Sequence, residues 1–189
     1  MAATASLMTE LGRVAPEFTL PNVETGELVS LQQLPKKSAT LVMFICRHCP
    51  YVLHVKPELA RLNDSYSERV NLIGISANDV ERYPEDAPDK LAELAEELGF
   101  PILYDESQDV AKAYRAACTP DFFLFDAQHR LVYRGQLDDS RPGNSKPLNG
   151  KDLRRALDNV LAGRPVDSDQ KASVGCSIKW KPGNQPAIR

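Results

Sequence analysis

Residues 41–52 read Leu41-Val42-Met43-Phe44-Ile45-Cys46-Arg47-His48-Cys49-Pro50-Tyr51-Val52, an apolar run that stops at two cysteines and a proline. The segment from Ala39 to Ile45 is small, β-branched, aliphatic and aromatic throughout and too short for a lone helix, which predicts a buried parallel strand. From Tyr51 to Tyr66 the residues Val52, Val55, Leu59, Leu62 and Tyr66 recur at intervals of three and four, the pattern of a helix with one core-facing stripe. Pro50 suits the first helical position, where its missing N–H removes nothing from the ladder. Cys49 then falls at the N-cap and Cys46 one turn earlier, in the loop.

That placement bears on chemistry, because a thiolate rather than a thiol attacks disulfides, and the unpaired N–H groups of a helix start favour negative charge beside them. Helix-end electrostatics are worth ~0.3–1 kcal/mol, or up to ~2 when partly buried, which leaves much of such a thiol protonated at neutral pH. Arg47 and His48 add one fixed positive charge and one that depends on pH, both acting in the same direction. The expectation is a Cys49 pKa clearly below the ~8.5 of a free cysteine. Two blander readings stand beside it. A C-x-x-C is half of a zinc site, although Cys118 and Cys176 do not form the second closely spaced pair that such a site needs. Two thiols at a strand end are also compatible with inert core cysteines.

The stretch resembles the active-site segment of the thioredoxin-like superfamily, in which a buried strand of the type L-V-x-F is followed, five residues after the Phe, by the attacking cysteine and, eight further on, by a proline inside the helix. Phe44 lies five before Cys49 and Pro57 eight after it. Counted from Cys46 the intervals are two and eleven, so the second cysteine occupies the attacking position. Thioredoxins carry their other cysteine three residues after the attacker, where this chain has Val52; Cys46 lies three before instead. Peroxiredoxins carry a Pro seven and a Thr three residues before their peroxidatic cysteine, and those positions are Val42 and Cys46. The overall likeness is to bacterial peroxiredoxin-like (AhpC/TSA, redoxin) proteins whose second C-x-x-C cysteine takes the peroxidatic position. It implies an α/β, thioredoxin-like fold: a central mixed β-sheet flanked by helices, in one domain over residues 1–189, with an N-terminal hairpin extension at 12–31 and a C-terminal tail at 164–189 packed on the domain.

The chain has 189 residues, 42% of them hydrophobic, enough for a sizeable core. A net charge of −3 gives no reason to expect a nucleic acid or an anionic membrane as partner. Met1 to Leu11 lacks the basic and apolar regions of a signal peptide, and no window approaches a membrane span, so a cytoplasmic location is expected. In a reducing compartment four cysteines point to catalysis or redox sensing rather than to a structural framework.

Along the chain, Gly12 to Leu31 carries G-x-x-A-P-x-F-x-L, a turn from Pro21 to Gly26, and Glu-Leu-Val-Ser-Leu, read as two short strands that resemble the hairpin of peroxiredoxin-type proteins. Val70 to Ser76 is a second buried strand that closes a right-handed βαβ unit, and ligands of such sheets gather at the carboxyl strand ends, where Cys46 and Cys49 fall. A polar loop at 78–88 leads to a helix from Pro88 to about Leu98, stopped by Gly99. A short strand over Phe100 to Tyr104 and a helix over Gln108 to Ala117, with Val110, Ala113 and Tyr114 inward, follow. Pro120 opens the apolar strand Phe122 to Phe125, because a proline cannot donate to a ladder. The hairpin partner is His129 to Gln136, and a closing amphipathic helix runs from Gly150 to Leu161.

The superfamily resemblance implies a cis Thr119-Pro120 bond facing the active-site cysteine, with Thr119 offering its backbone to an extended substrate. Peroxiredoxins hold a catalytic Arg near the place of Pro120. Cys118 is then expected near the rim of the site, and the aperiodic tail, which holds Cys176 and the only tryptophan, Trp180, is expected to fold back and bring Cys176 near it; both are candidate additional redox thiols, beside the plainer readings of a bystander thiol for Cys118 and a docked but inert segment for Cys176.

The reading that results is a thiol–disulfide oxidoreductase with Cys49 as nucleophile and Cys46 as its redox partner, and with Arg47, His48 and Pro50 as the surroundings. Thr119 and Pro120 bind substrate. A disulfide-containing protein or small molecule and an external thiol reductant are the expected partners, with no cofactor, no resident metal and a monomer or homodimer. Basic neighbours that stabilise the thiolate raise the reduction potential above the ~ −270 mV of thioredoxin. Two alternatives remain open: a thiol peroxidase with Cys49 peroxidatic, and a copper or zinc carrier that uses Cys46, Cys49 and a histidine.

Overall fold

The computed structural model describes residues 3–186; positions 1–2 of the expected domain and 187–189 of the expected tail lie outside the described residues. In chain order the elements are β1 (Ala3–Ala5), β2 (Thr19–Pro21), β3 (Leu28–Ser30), β4 (Ala39–Phe44), α1 (Pro50–Tyr66), β5 (Val70–Ser76), α2 (Pro88–Leu98), β6 (Ile102–Tyr104), α3 (Asp109–Tyr114), β7 (Cys118–Thr119), β8 (Asp121–Asp126), β9 (Leu131–Tyr133), α4 (Lys151–Leu161) and β10 (Val174–Ser177).

The main sheet has the order β6-β5-β4-β8-β9. β4, β5 and β6 run parallel, while β8 and β9 are antiparallel to their neighbours. The alternation of a strand sorts the core into two layers. Leu41 and Met43 of β4 pack with Val52, Leu59 and Leu62 of α1, Leu91 of α2 and Leu157 of α4 on one face. Val42 and Phe44 meet Tyr114 of α3, Phe123 and Phe125 of β8, and Phe18 and Leu31 from the N-terminal hairpin on the other. β4 is covered on both faces, which accounts for its uninterrupted apolar sequence.

Helix boundaries follow local chemistry. Pro50 and Pro88 open α1 and α2 at the position where a proline costs no hydrogen bond. Gly99 closes α2 in the left-handed conformation (φ 75°), its N–H donating to the Ala95 carbonyl at 2.8 Å. The helix expected over Gln108 to Ala117 is shorter. Gln108 and Arg115 both take positive φ and bound α3, and Ala111 is buried in place of Ala113, which is exposed. Ala111 and Tyr114, three apart, lie on one side of the helix, and that side rather than the one through Ala113 meets the core.

Two smaller sheets complete the molecule. β2 and β3 form the N-terminal hairpin. The other, in the order β1-β10-β7, joins the two ends of the chain to the segment before Pro120. The tail is therefore structured: β10 is the middle strand of that sheet, and Ile178 and Trp180 pack into the second core layer.

Candidate active site

Four local features converge on one point. β4 ends at Phe44, and Ile45 still donates to Ile75 at 3.0 Å, so the chain leaves the sheet only at Cys46. Cys49 is the N-cap of α1, with Pro50 next to it as the first helical residue. The Thr119-Pro120 bond is cis and lies between β7 and β8. β10 runs along β7 with Cys176 opposite Thr119.

The sulfurs meet around Thr119. Cys46 Sγ lies 3.3 Å from Thr119 Oγ1, and Cys49 Sγ lies 3.2 Å from the Thr119 carbonyl oxygen. Cys49 Sγ and Cys176 Sγ are 2.7 Å apart. All three cysteines are buried, Cys49 completely.

Cys49 is pulled down from 9.0 to about 4, chiefly by a hydrogen bond from the Cys46 thiol and secondarily by bonds from Cys176 and Thr119; burial works in the opposite direction. The N–H of Val52 in the first turn helps least. The Thr119 carbonyl accepts only from a thiol and so opposes ionisation, but the donors together outweigh this one acceptor. The neighbours move the other way. Cys46 rises well above its ordinary value, first because its proton is held by Cys49 and then because it is buried. Burial and the bond to Cys49 push Cys176 up to about 11. One thiolate held by two thiols is the resting arrangement these shifts describe.

The expected source of that thiolate has to be corrected. Arg47 turns outward and pairs with Glu93 at 2.7 Å, at the surface. His48 Nδ1 lies 2.6 Å from Asp86 Oδ2, and its ring stacks on Tyr83 at 5.4 Å between centroids. Asp86, completely buried, also accepts the backbone N–H groups of Arg47 (2.7 Å) and His48 (3.2 Å) and the amide of Asn78 (2.7 Å). What residues 47 and 48 give the site is the shape of the loop that carries the two cysteines. Sequence reading passed over Asp86; its signal was a run of Asn78, Asp79 and Asp86 at the carboxyl end of β5, beside the cysteine loop.

Cys118 is buried rather than at the rim: its sulfur lies 3.7 Å from the Pro120 carbonyl and burial pushes its thiol far up, which fits a bystander thiol better than an additional redox thiol. His54 bonds Ser140 at 2.6 Å, and His129 sits in the turn between β8 and β9 at φ 56°.

With this geometry, comparison with known proteins is informative. A model of the AhpC/TSA family matches residues 11–134. The chain belongs to the AhpC/TSA family. It is similar to Peroxiredoxin 2 of Picrophilus torridus, at 22% identity over 93% of this chain and 84% of the relative. It is also similar to the thiol-disulfide oxidoreductase YkuV of Bacillus subtilis, at 25% identity over 81% and 97%. A solved structure of an uncharacterized conserved protein from Geobacillus kaustophilus is 55% identical, covers 97% of this chain and 98% of its own, and superposes with a TM-score of 0.93. The fold is thioredoxin-like, and the family is one of thiol redox proteins.

Arg47, at the surface, is engaged by Glu93, and the buried guanidinium of Arg134 by Asp121. As for metals, Cys46 Sγ, a ring nitrogen of His48 and an Asp86 oxygen lie within 4.8 Å of one another, and His48 Nε2 is buried without a partner. Both Asp86 oxygens are already saturated by four donors, so these residues fit a loop clasp better than a metal ligand set. Among the described residues no helix is long and apolar enough to cross a membrane.

Proposed function

We propose that this AhpC/TSA protein is a thiol–disulfide oxidoreductase in which Cys49 is the nucleophile and Cys46 its redox partner. The observation that carries the reading is a helix-capping cysteine beside a cis-proline, with its sulfur and that of Cys46 both held on Thr119 (3.2 and 3.3 Å); the lowering of the Cys49 pKa by its neighbours agrees with it. The Cys49 thiolate attacks one sulfur of a substrate disulfide; the substrate S–S bond breaks, a mixed disulfide forms, and the departing thiolate takes a proton from water. That step removes the charge on Cys49 that held the Cys46 proton in place. Cys46 then ionises and attacks the Cys49 sulfur, the second substrate thiolate leaves, and a Cys46–Cys49 bond remains. Two electrons pass from two protein thiols to the substrate, and an external thiol reductant returns them. A reducing compartment such as the cytoplasm suits four unpaired cysteines.

The test is thiol release from a small disulfide by the reduced protein. Cys49→Ser abolishes it, whereas Cys46→Ser still performs the first exchange but cannot form the Cys46–Cys49 bond. Equal rates in the wild type and Cys49→Ser sink the assignment. A thiol peroxidase is the second reading, favoured by the family match and the peroxiredoxin relative. Arg47 and Arg134 are each paired with a carboxylate, which weighs against either of them as the group that polarises peroxide. Stopped-flow loss of thiol with hydrogen peroxide is therefore expected to be slow beside brisk disulfide exchange; the reverse order favours the peroxidase.

A further inference from the structure

A strand edge next to a nucleophilic sulfur is a template for an extended chain, since its free N–H and C=O groups pair with any backbone laid along it. β7 is such an edge: Thr119 touches both C-x-x-C sulfurs. In this protein the edge is already taken. β10 pairs with β7 in the register Cys176 opposite Thr119 and Ser177 opposite Cys118, and Ile178 N–H donates to Ala117 at 3.2 Å. The fit is close. A Cβ built on Gly175 would lie 2.0 Å from the Thr119 carbonyl oxygen, so only glycine permits the approach. The occupant is also secured on its far side, by pairing with β1, and at both ends, by Ser173 Oγ on the Pro120 carbonyl (2.7 Å) and Lys179 N–H on Asn78 Oδ1 (2.8 Å). It presents a cysteine, and that cysteine's sulfur lies 2.7 Å from Cys49 Sγ.

We propose that Val174–Ser177 is a tethered occupant of the polypeptide edge beside Cys49, which restricts the site to low-molecular-weight disulfides and makes Cys176 the first thiol to displace a bound substrate. The inference rests on the assignment of Cys49 as nucleophile. Once a small disulfide RSSR has been attacked, Cys49 carries SR and one RS⁻ has left. Cys176 gives its proton to water and attacks the Cys49 sulfur; the Cys49–SR bond breaks, RS⁻ leaves, and a Cys49–Cys176 bond forms. Cys46 then loses its proton and attacks the same sulfur, the Cys176 thiolate departs and is reprotonated, and the oxidation rests on Cys46–Cys49. The last exchange consumes no oxidant, because one protein disulfide replaces another. A shallow cleft lined by Tyr51, His54, Pro120, Ser140, Arg141 and Val174 lies beside the cis-proline and the start of β10, one residue from Thr119 and two from Cys176 along the chain.

Two experiments test this on the full chain. The first is a disulfide map of Cys46→Ser after oxidation with glutathione disulfide. Cys49–Cys176 is expected as the main product, whereas a persistent Cys49–glutathione mixed disulfide with a free Cys176 overturns the relay. The second compares reduction of insulin with reduction of glutathione disulfide. Opening the edge with Gly175→Ala is expected to raise the insulin-to-glutathione rate ratio at least tenfold over the wild type; an unchanged ratio in a folded variant, or efficient insulin reduction by the wild type, overturns the restriction. Should Gly175→Ala fail to fold, the wild-type comparison and the Cys46→Ser map still decide. Failure of the underlying assignment looks different, since Cys49→Ser would then reduce glutathione disulfide as fast as the wild type.

Discussion

At the scale of single residues, Cys49 owes its state to hydrogen-bond donors rather than to formal charges. A bond from a donor to an ionised group is worth ~1.5–3 kcal/mol, or about one to two pK units. Cys46→Ala, which removes the strongest donor, is therefore expected to raise the Cys49 midpoint by at least about one unit from its value of about 4, and Arg47→Ala to leave it in place. Thiolate ultraviolet absorbance against pH, with Cys49→Ala as the blank, measures both. The sign of the pH dependence follows: between pH 5 and 8 the first exchange step is flat, because Cys49 is already ionised there, and it falls only as pH drops through about 4. An inflection near 8.5 would mean an ordinary thiol. Counting residues in the sequence was enough to select Cys49 over Cys46, since spacing along a strand-to-helix junction fixes which residue caps the helix. Spacing says nothing about where a loop side chain points, and this is why Arg47 was read as a neighbour of the thiols when it faces Glu93.

At the scale of elements, whatever carried a period was legible. β4, α1, β5, α2 and α4 fall within a residue or so of where apolar runs and three–four spacing put them. β1, β7 and β10 were not legible: each has four residues or fewer, and β10 exists only because Thr119 and Ala3, both far away in the chain, pair with Cys176. The cysteine loop is a comparable case, since it is shaped from across the sheet by Asp86. Asp86→Ala strips acceptors from the N–H groups of Arg47 and His48 and from Asn78, with ~1–3 kcal/mol expected for each donor left buried and unpaired. A loss of about 2–4 kcal/mol in urea unfolding is expected, together with slower formation of the Cys46–Cys49 bond, because the loop no longer holds the two sulfurs on Thr119. Full stability in Asp86→Ala would mean that water replaces the carboxylate and that the clasp has no structural weight.

At the scale of the whole molecule, the two chain ends are joined to the site through one buried cation. Arg134, with no exposed side-chain surface, donates to Asp121 (3.3 Å), Ser6 (3.2 Å), Thr9 (3.3 Å) and the Arg115 carbonyl (2.7 Å), and its guanidinium lies 4.4 Å from the centre of the Phe123 ring. Ser6 in turn bonds Asp121 at 2.7 Å and gives its backbone N–H to Ser173, just before β10. Sequence alone gave no sign of this, because an arginine after Val132-Tyr133 reads as the outward residue of a strand and its partners lie on segments distant in the chain. Burial pushes the Asp121 carboxyl up and the Arg134 guanidinium down, each opposed by the other's charge, so the pair is held together against a large desolvation cost. Removing one member should be far worse than removing both. Arg134→Met is expected to cost about 3–5 kcal/mol, and Arg134→Met combined with Asp121→Leu clearly less than the sum of the single changes. The damage should also be directional: in Arg134→Met, amide hydrogen exchange should accelerate first in β1 and β10, which Ser6 no longer anchors, before it does so in β4 and β5, and Cys49 should become accessible to iodoacetamide in step with it. Uniform acceleration across all strands, with Cys49 as protected as before relative to the core, would mean that the pair supports the fold as a whole and has no particular hold on the strand that covers the thiols.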